Sequence, residues 1–194
     1  MISAEDVSAV LVTRGDVDLS EILYSLPFTD VVVWNNAQRL DTKVYGRYLA
    51  IEEVENGVVY VQDDDVVLAP EAFETLLDAY ESGVLVANMP EIFRHSFYVE
   101  HCLVGFGAIF DAGLPEEAFL EFDSYFSQHF RRGESFLRTC DIVFTTLAER
   151  KLVDVSYREL PWHHADTRMY RQEDHVASRM QMLEAAIAVR DRRG

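Results

Sequence analysis

The sequence contains few cysteines and few prolines, two and five respectively among 194 residues. Cys102 and Cys140 both lie in apolar stretches, and two cysteines cannot form a framework of disulfides. We therefore expect reduced core residues in a cytoplasmic protein. No apolar run approaches the roughly 20 residues of a membrane helix. The first residues also lack the basic and apolar segments of a secretory signal, so we expect neither a membrane span nor secretion.

Positive charge is also scarce. The chain has 17 lysines and arginines against 34 aspartates and glutamates, which gives a formal net charge of −17. Such a surface repels phosphate backbones at long range, so general nucleic-acid binding is disfavoured. The two dense basic segments, residues 131–132 and 190–193, are interpreted as solvated helix ends.

The pattern of apolar residues in the first half predicts alternating strands and helices. Strands are predicted over residues 7–13, 30–35, 58–62 and 84–87, each an apolar run rich in valine. Helices are predicted between them, beginning near residues 18, 43 and 70. This order predicts an α/β fold with a mostly parallel central sheet and helices on both faces. At this length we expect a single domain over residues 1–194.

The second half is less regular. Residues 103–110 are predicted as a strand, residues 136–151 as a helix and residues 153–160 as a short strand. A final helix is predicted from about residue 172. Gly105 and Gly107 within the first of these would let the backbone approach another group closely, or would simply bend the strand.

Three consecutive aspartates, Asp63, Asp64 and Asp65, follow the third predicted strand. Ligand sites of open α/β sheets usually lie at the edge where parallel strands end. Adjacent carboxylates repel one another, and a divalent cation bound by hard oxygen ligands would offset that repulsion. The pattern therefore indicates a metal and nucleotide site, with a solvated acidic turn as the alternative.

Four segments in order carry a resemblance to a known family, and they are Val10-Leu-Val-Thr-Arg14, Val31-Val-Val-Trp-Asn-Asn36, Val59-Tyr-Val-Gln-Asp-Asp-Asp65 and Arg138-Thr-Cys-Asp-Ile142. Together they resemble GT-A glycosyltransferases, and most closely the exostosin-like catalytic domain, over roughly residues 7–160. Only one acid follows Cys140, where that family carries two. The resemblance implies a GT-A-like (Rossmann-like) domain, with a nucleotide-binding half at about 1–88 and an acceptor and catalytic half at about 89–194.

The implied activity is metal-dependent transfer of a sugar from a nucleotide-diphosphate donor, with uracil as the base, to a hydroxyl acceptor. Mn²⁺ or Mg²⁺ would neutralise the departing diphosphate. The resemblance implies Asp65 and Asp63 as metal ligands, with His164 as the third, although His163 and His175 stay open as alternatives. It implies donor contacts from Thr13, Arg14, Asn35, Asn36, Arg47, Asp63 and Asp64.

Each donor contact has a purely structural alternative. Asn35 and Asn36 could bind a uracil or ribose edge, or they could merely end their strand in a turn. Arg14 and Arg47 could contact the base or diphosphate, or they could be exposed arginines that pair with surface acids. Arg168 and Arg171 could clamp the diphosphate as a lid, or they could simply cover the acidic surface.

Asp141 is the candidate catalytic residue. It could act as a general base towards the acceptor hydroxyl or stabilise positive charge on the donor sugar. The alternative is a salt bridge with Arg138, one helical turn earlier.

Two other classes of protein remain compatible with clustered acids. A metal-dependent phosphatase or nuclease would ordinarily carry its nucleophilic aspartate on the first strand, which here ends in Thr13-Arg14-Gly15. A cation- or nucleotide-binding module without turnover would keep the same fold. The sequence does not identify the acceptor, which could be a protein, a glycan, a lipid-linked intermediate or a modified base.

Overall fold

The protein is described by a computed structural model that covers residues 2–94, 96–126 and 133–193, with the side chains of Ser96 and Phe97 left out. The basic pair at 131–132 lies outside these residues. The strands are β1 Val7–Thr13, β2 Asp30–Asn35, β3 Val58–Asp63, β4 Val66–Leu68, β5 Leu85–Asn88, β6 Ala108–Asp111, β7 Arg150–Val153 and β8 Tyr157–Glu159. The α-helices are α1 Ser20–Ser25, α2 Gly46–Leu49, α3 Pro70–Ala79, α4 Leu114–Tyr125, α5 Glu134–Leu147 and α6 His175–Arg190.

Six of these strands form the central sheet, in the order β2-β1-β3-β6-β5-β7. β1 pairs in parallel with β2 and β3, and β5 pairs in parallel with β7. β6 runs antiparallel to both of its neighbours, β3 and β5. β4 and β8 form a separate antiparallel pair. The prediction of a mostly parallel sheet is confirmed, with one reversed strand that the sequence order did not predict.

The two faces of the sheet bury different sets of side chains, because successive residues of a strand point in opposite directions. Val59 and Val61 of β3 belong to a core cluster with residues of α4, α5 and α6, whereas Tyr60 packs with Phe73 of α3 and with Phe28. Helices therefore cover both faces, as predicted. Cys102 and Cys140 are free and buried.

Four predicted elements differ from the structure, one of them the strand predicted over 153–160, which is only β8, Tyr157–Glu159. The helix predicted over residues 43–55 is three short segments, with α2 between 3-10 turns at Lys43–Tyr45 and Ala50–Glu53. The strand predicted over 103–110 is reduced to β6, because Gly107 has a φ of +103°, a left-handed conformation that interrupts an extended strand. The helix predicted to reach residue 151 ends at Leu147, where Ala148 is already extended, and β7 follows.

The strand ends create the site. β1, β2 and β3 are mutually parallel, so Thr13, Asn35 and Asp63 all lie at one edge of the sheet. The helical turn at Pro161–His164 follows β8, which pairs with β4 just after the three aspartates. None of the helices in the described parts of the chain is long and apolar enough to cross a bilayer.

Candidate active site at the edge of the sheet

A cavity of about 440 Å³ opens at the ends of β1 and β3. Its size is typical of small-molecule sites. The lining includes the end of β1, the three aspartates, one side of α5, the start of α6 and the segment after β8. Residues far apart in the sequence therefore face a common space.

The acidic turn is held against the protein and is not a solvated loop. Asp64 and Asp65 expose only 5% and 6% of their surface. Arg168 donates to Oδ1 of Asp64 at 2.8 Å, and the indole N–H of Trp162 donates to the Asp64 carbonyl at 2.7 Å. The segment after β8 thus fixes the turn from one side.

Asp65 lies in a strongly perturbed environment. Burial raises the pKa of Asp65 to about 6, with further upward contributions from Asp63 and Asp64, against the opposing charges of Arg168 and His163. Nδ1 of His163 lies 2.9 Å from Oδ2 of Asp65. A carboxyl group with this pKa titrates somewhat below neutral pH. A bound cation would favour its ionised form.

Asp63 has a more open side chain, 43% exposed, that contacts Arg47 at 2.5 Å. Gly105 lies directly beneath it, since a Cβ built on Gly105 would fall 2.1 Å from Oδ2 of Asp63. The Gly105 carbonyl also accepts from the Asp63 N–H at 2.9 Å. Gly105 therefore makes room for the Asp63 carboxylate, one of the two roles considered for it.

Arg47 is a buried cation in the wall of the cavity, with 1% of its surface exposed. Nη2 contacts Asp63 and also lies 3.8 Å from Asp141. Burial alone would lower the pKa of Arg47, but Asp141 and Asp63 outweigh that effect and raise it. Nε and Nη1 have no hydrogen-bond partner among the described residues. The alternative interpretation of Arg47 as an exposed helix arginine is therefore wrong. Its Nε and Nη1 remain as buried donors for a ligand.

Asp141 faces the cavity from α5. The Tyr48 hydroxyl donates to its Oδ1 at 2.6 Å. Burial raises the pKa of Asp141, while Arg47 and Tyr48 oppose the increase. Arg138, the partner that the helical spacing suggested, instead makes two hydrogen bonds to Asp174 at 2.9 and 3.1 Å.

The donor-side residues lie at the same edge but are held by local contacts. Thr13 and Arg14 line the cavity, and Arg14 donates to the Thr167 carbonyl at 2.8 Å. Asn36 also lines it, although its amide oxygen accepts from the Thr42 N–H at 3.0 Å. The Asn35 amide oxygen accepts from the Ala37 N–H at 2.8 Å, which is the turn-forming role considered for it.

The two adjacent histidines point in different directions. His163 contacts Asp65 and lines the cavity, whereas His164 is 65% exposed and lies 3.3 Å from Glu159. The structure thus brings His163 to the acidic turn, while His164, the ligand implied by the resemblance, lies with Glu159. Ligand atoms of Glu159, His163 and His164 all lie within 4.8 Å of one another, the single group of this kind in the described part of the chain.

The acidic turn offers the hard carboxylate oxygens that divalent cations prefer, but among the described residues its three aspartates do not form a group of ligand atoms within 4.8 Å of one another. When ionised, the carboxylates of Asp63, Asp64, Asp65 and Asp141 carry four negative charges, and Arg47 and Arg168 supply two positive charges. Mg²⁺ in proteins commonly takes one or two carboxylates and completes its shell with water and substrate phosphates. Asp63 and Asp65 would supply those carboxylates.

Sequence reasoning missed several residues of the site, among them Tyr48, Lys43 and Arg179. Tyr48 carried no functional signal, because its contact with Asp141 joins segments that the sequence pattern does not relate. Lys43 lines the cavity with a φ of +56°, a conformation that costs energy for a residue with a side chain. Asp41, two residues earlier, was a sequence signal for a turn at this position, because its carboxylate accepts from the Lys43 N–H at 3.1 Å.

The sequence matches no protein-family model and no curated protein. Solved structures share its fold. S. aureus TarS 1-349 in complex with UDP-GlcNAc superposes with a TM-score of 0.56 at 12% identity, covering 94% of this chain and 66% of TarS 1-349. The complex of the same protein with UDP gives 0.54 at 12% identity, with 94% and 65% covered. A 4-diphosphocytidyl-2C-methyl-D-erythritolsynthase from Anaerococcus prevotii gives 0.48 at 10% identity, with 93% and 99% covered.

The likeness to the TarS structures confirms the predicted fold class, a GT-A-like α/β fold. The chain spans about two thirds of the length of the TarS 1-349 structures bound to UDP-GlcNAc or UDP.

Proposed function

We propose that this protein transfers a sugar from a nucleotide-diphosphate donor, a UDP-sugar, to a hydroxyl acceptor with the help of Mn²⁺ or Mg²⁺. The observation that carries this proposal is the contact of one buried cation, Arg47, with both Asp63 and Asp141 in the cavity wall. A candidate metal-binding carboxylate from β3 and a candidate base from α5 are thereby held in one site. The fold shared with TarS bound to UDP-GlcNAc supports the choice of donor.

In this proposal the diphosphate lies against both the acidic turn and Arg47. Asp63 and Asp65 would hold the divalent ion, which supplies positive charge to the leaving diphosphate. The unpartnered Nε and Nη1 of Arg47 would donate to phosphate oxygens, which suits the planar guanidinium. Thr13, Arg14 and Asn36 lie where the nucleoside would enter.

Asp141 would receive the acceptor's proton or stabilise charge that develops on the sugar. Its raised pKa brings the carboxylate closer to the range in which a general base works well at neutral pH. Tyr48 fixes its orientation by donating to one of its two oxygens, which leaves the other oxygen available.

The donor assignment is tested by thermal shift with UDP-, GDP- and TDP-sugars, each with and without Mn²⁺. A ligand that binds only the folded state raises its melting temperature. We expect a UDP-sugar to raise the melting temperature further when Mn²⁺ is present, and Asp65→Ala to abolish that metal-dependent increment. Asp166→Asn is the matched control, because Asp166 lies in the same segment as Arg168 but its side chain is fully exposed. The absence of a shift with every pair would refute the donor assignment.

Turnover is tested separately with Asp141→Asn. We expect release of UDP from the donor to fall at least about a hundredfold, as is typical when an acid–base group is lost, while the donor still raises the melting temperature. If wild type and variant both bind the donor and neither releases UDP with any acceptor, the protein is a nucleotide-binding module instead.

A further inference from the structure

The part of the cavity formed by α5 and α6 has a different charge from the acidic turn. Arg138 of α5 and His175 and Arg179 of α6 all line it. Asp141 is related to both ends: it lies 3.8 Å from Arg47, which contacts Asp63, and its negative charge partly offsets the burial that lowers the pKa of Arg179. Two arginines at one end of a cavity, of which Arg138 is paired with Asp174, are notable in a chain with a net charge of −17.

His175 has no hydrogen-bond partner on either ring nitrogen among the described residues, although it is only 8% exposed. Buried polar atoms are usually satisfied, so an unpaired imidazole in a cavity wall indicates a ligand that is not part of the chain. Burial, with added effects from Arg179 and Arg138, lowers the pKa of His175 to about 4. His175 is therefore uncharged at neutral pH and can donate one hydrogen bond to an anion, while Arg138 and Arg179 supply the positive charge.

The two arginines beside His175 are held in place. Arg138 makes its paired hydrogen bonds to Asp174 and is 12% exposed. The Arg179 guanidinium lies 5.3 Å from the centre of the Tyr98 ring, and its Nη2 lies 3.0 Å from Nε2 of His101. Since arginine can only donate, Nε2 of His101 is the acceptor. Fixed cations lose little conformational freedom when an anion binds.

We propose that this end of the cavity binds a negatively charged group, a phosphate or a carboxylate, that belongs to the acceptor. The proposal rests on the function proposed above, in which the donor occupies the acidic turn and Arg47. Asp141 then lies near both donor and acceptor, as transfer between them requires. The acceptor would carry its charge close to the hydroxyl that is modified, which disfavours a neutral glycan.

Three related probes test the proposal without donor or metal: glucose 6-phosphate, glucuronate and glucose, titrated by isothermal calorimetry. We expect at least one of the charged sugars to bind more tightly than glucose. If only glucose 6-phosphate binds more tightly than glucose, the acceptor carries a phosphate. If only glucuronate does, the acceptor carries a carboxylate. If neither charged sugar binds better than glucose, the proposal is wrong.

Two variants assign the binding to this end. Arg138→Met and His175→Ala should each weaken binding of the charged sugar about tenfold or more, and Arg158→Met should leave it unchanged. Arg158 is a suitable control because it is 55% exposed and pairs with Glu21. Melting temperatures verify that each variant is folded. Wild-type affinity in both Arg138→Met and His175→Ala would overturn the assignment.

A final comparison separates acceptor from donor. UDP with Mn²⁺ should bind Arg138→Met as tightly as wild type. If UDP binding falls as much as binding of the charged sugar, the cations hold the donor diphosphate and the proposal is overturned. Because the sugar probes are measured alone, a failure of the donor assignment would be seen independently in the UDP experiment.

Discussion

Tyr48 joins α2 to α5 through a 2.6 Å hydrogen bond to Asp141. Burial and the negative charge of Asp141 both raise the pKa of Tyr48 well above its ordinary value, so the hydroxyl stays protonated and donates. This donor stabilises the ionised form of Asp141. The pair therefore sets both the orientation and the basicity of the candidate catalytic carboxylate.

Tyr48→Phe should lower turnover more than donor binding. Loss of the donor raises the pKa of Asp141 further, because Tyr48 is one of the groups that hold it down. A base must be deprotonated to act, so the acidic limb of the kcat/KM profile should move to higher pH. Measuring kcat/KM from pH 5 to 9 in both proteins tests this, and superimposable profiles would contradict it.

Gly105→Ala should displace the Asp63 carboxylate, since a Cβ at this position would lie 2.1 Å from Oδ2 of Asp63. That oxygen belongs to a side chain that can rotate away, so we expect the fold to survive with a loss of stability of about 1 kcal/mol. The Mn²⁺-dependent part of donor binding should fall at least about tenfold, because Asp63 no longer reaches the metal position.

Gly57→Ala is the control for this variant, because a Cβ there would have no neighbour within 4 Å. It should keep the wild-type response to Mn²⁺. Equal metal responses in both alanine variants would contradict a role for Asp63 in metal binding.

Arg47→Met should destabilise the protein by about 3 kcal/mol or more, because it leaves partly buried carboxylates without their cation. Urea unfolding measures the loss. Adding Asp141→Asn to Arg47→Met should restore part of it, since one uncompensated charge is removed. Strictly additive losses in the double variant would show that Arg47 does not compensate Asp141.

His175→Phe should reduce the dependence of stability on pH. The pKa of His175 is about 4 in the folded protein, below its ordinary value of 6.5, so the unfolded chain binds the proton more tightly. The stability that this pKa difference contributes is complete above about pH 6.5 and is lost as the pH falls towards 4. Over that range the free energy of unfolding falls by at most about 1.4 kcal/mol per pH unit. Urea unfolding of the ligand-free proteins at pH 7 and pH 5 tests this, and equal losses in both would contradict it.

The first half of the fold could be predicted because its signals are local. β1 and β2 coincide with their predicted runs, and α3 begins at Pro70 as expected. The reversal of β6 depends on which strands it pairs with, and no local pattern encodes that. The prediction of a single helix over 43–55 is wrong. Neighbouring residues of this segment face different surroundings, with Tyr48 in the core and the charged Arg47 in the cavity wall.

The candidate site was predictable only in part, for the same reason. Asp63, Asp65 and Asp141 stand in recognisable segments, and the structure places all three at one cavity. Their partners could not be found from spacing. Arg138 was the obvious neighbour of Asp141 on its helix, yet Arg47 and Tyr48 approach it from another segment.

The short ladder between β4 and β8 has a mechanical consequence. The pairing of β4 with β8, in which Val66 lies opposite Glu159, and the hydrogen bond from the Leu160 N–H to the Asp65 carbonyl fasten the acidic turn to the segment that carries both histidines. We expect the acidic turn and the segment with both histidines to move together as one rigid unit. Entry and exit of a substrate would then depend on displacement of the opposite wall, which makes α6 and the turn around Lys43 the places to look for slow hydrogen-exchange changes upon ligand binding.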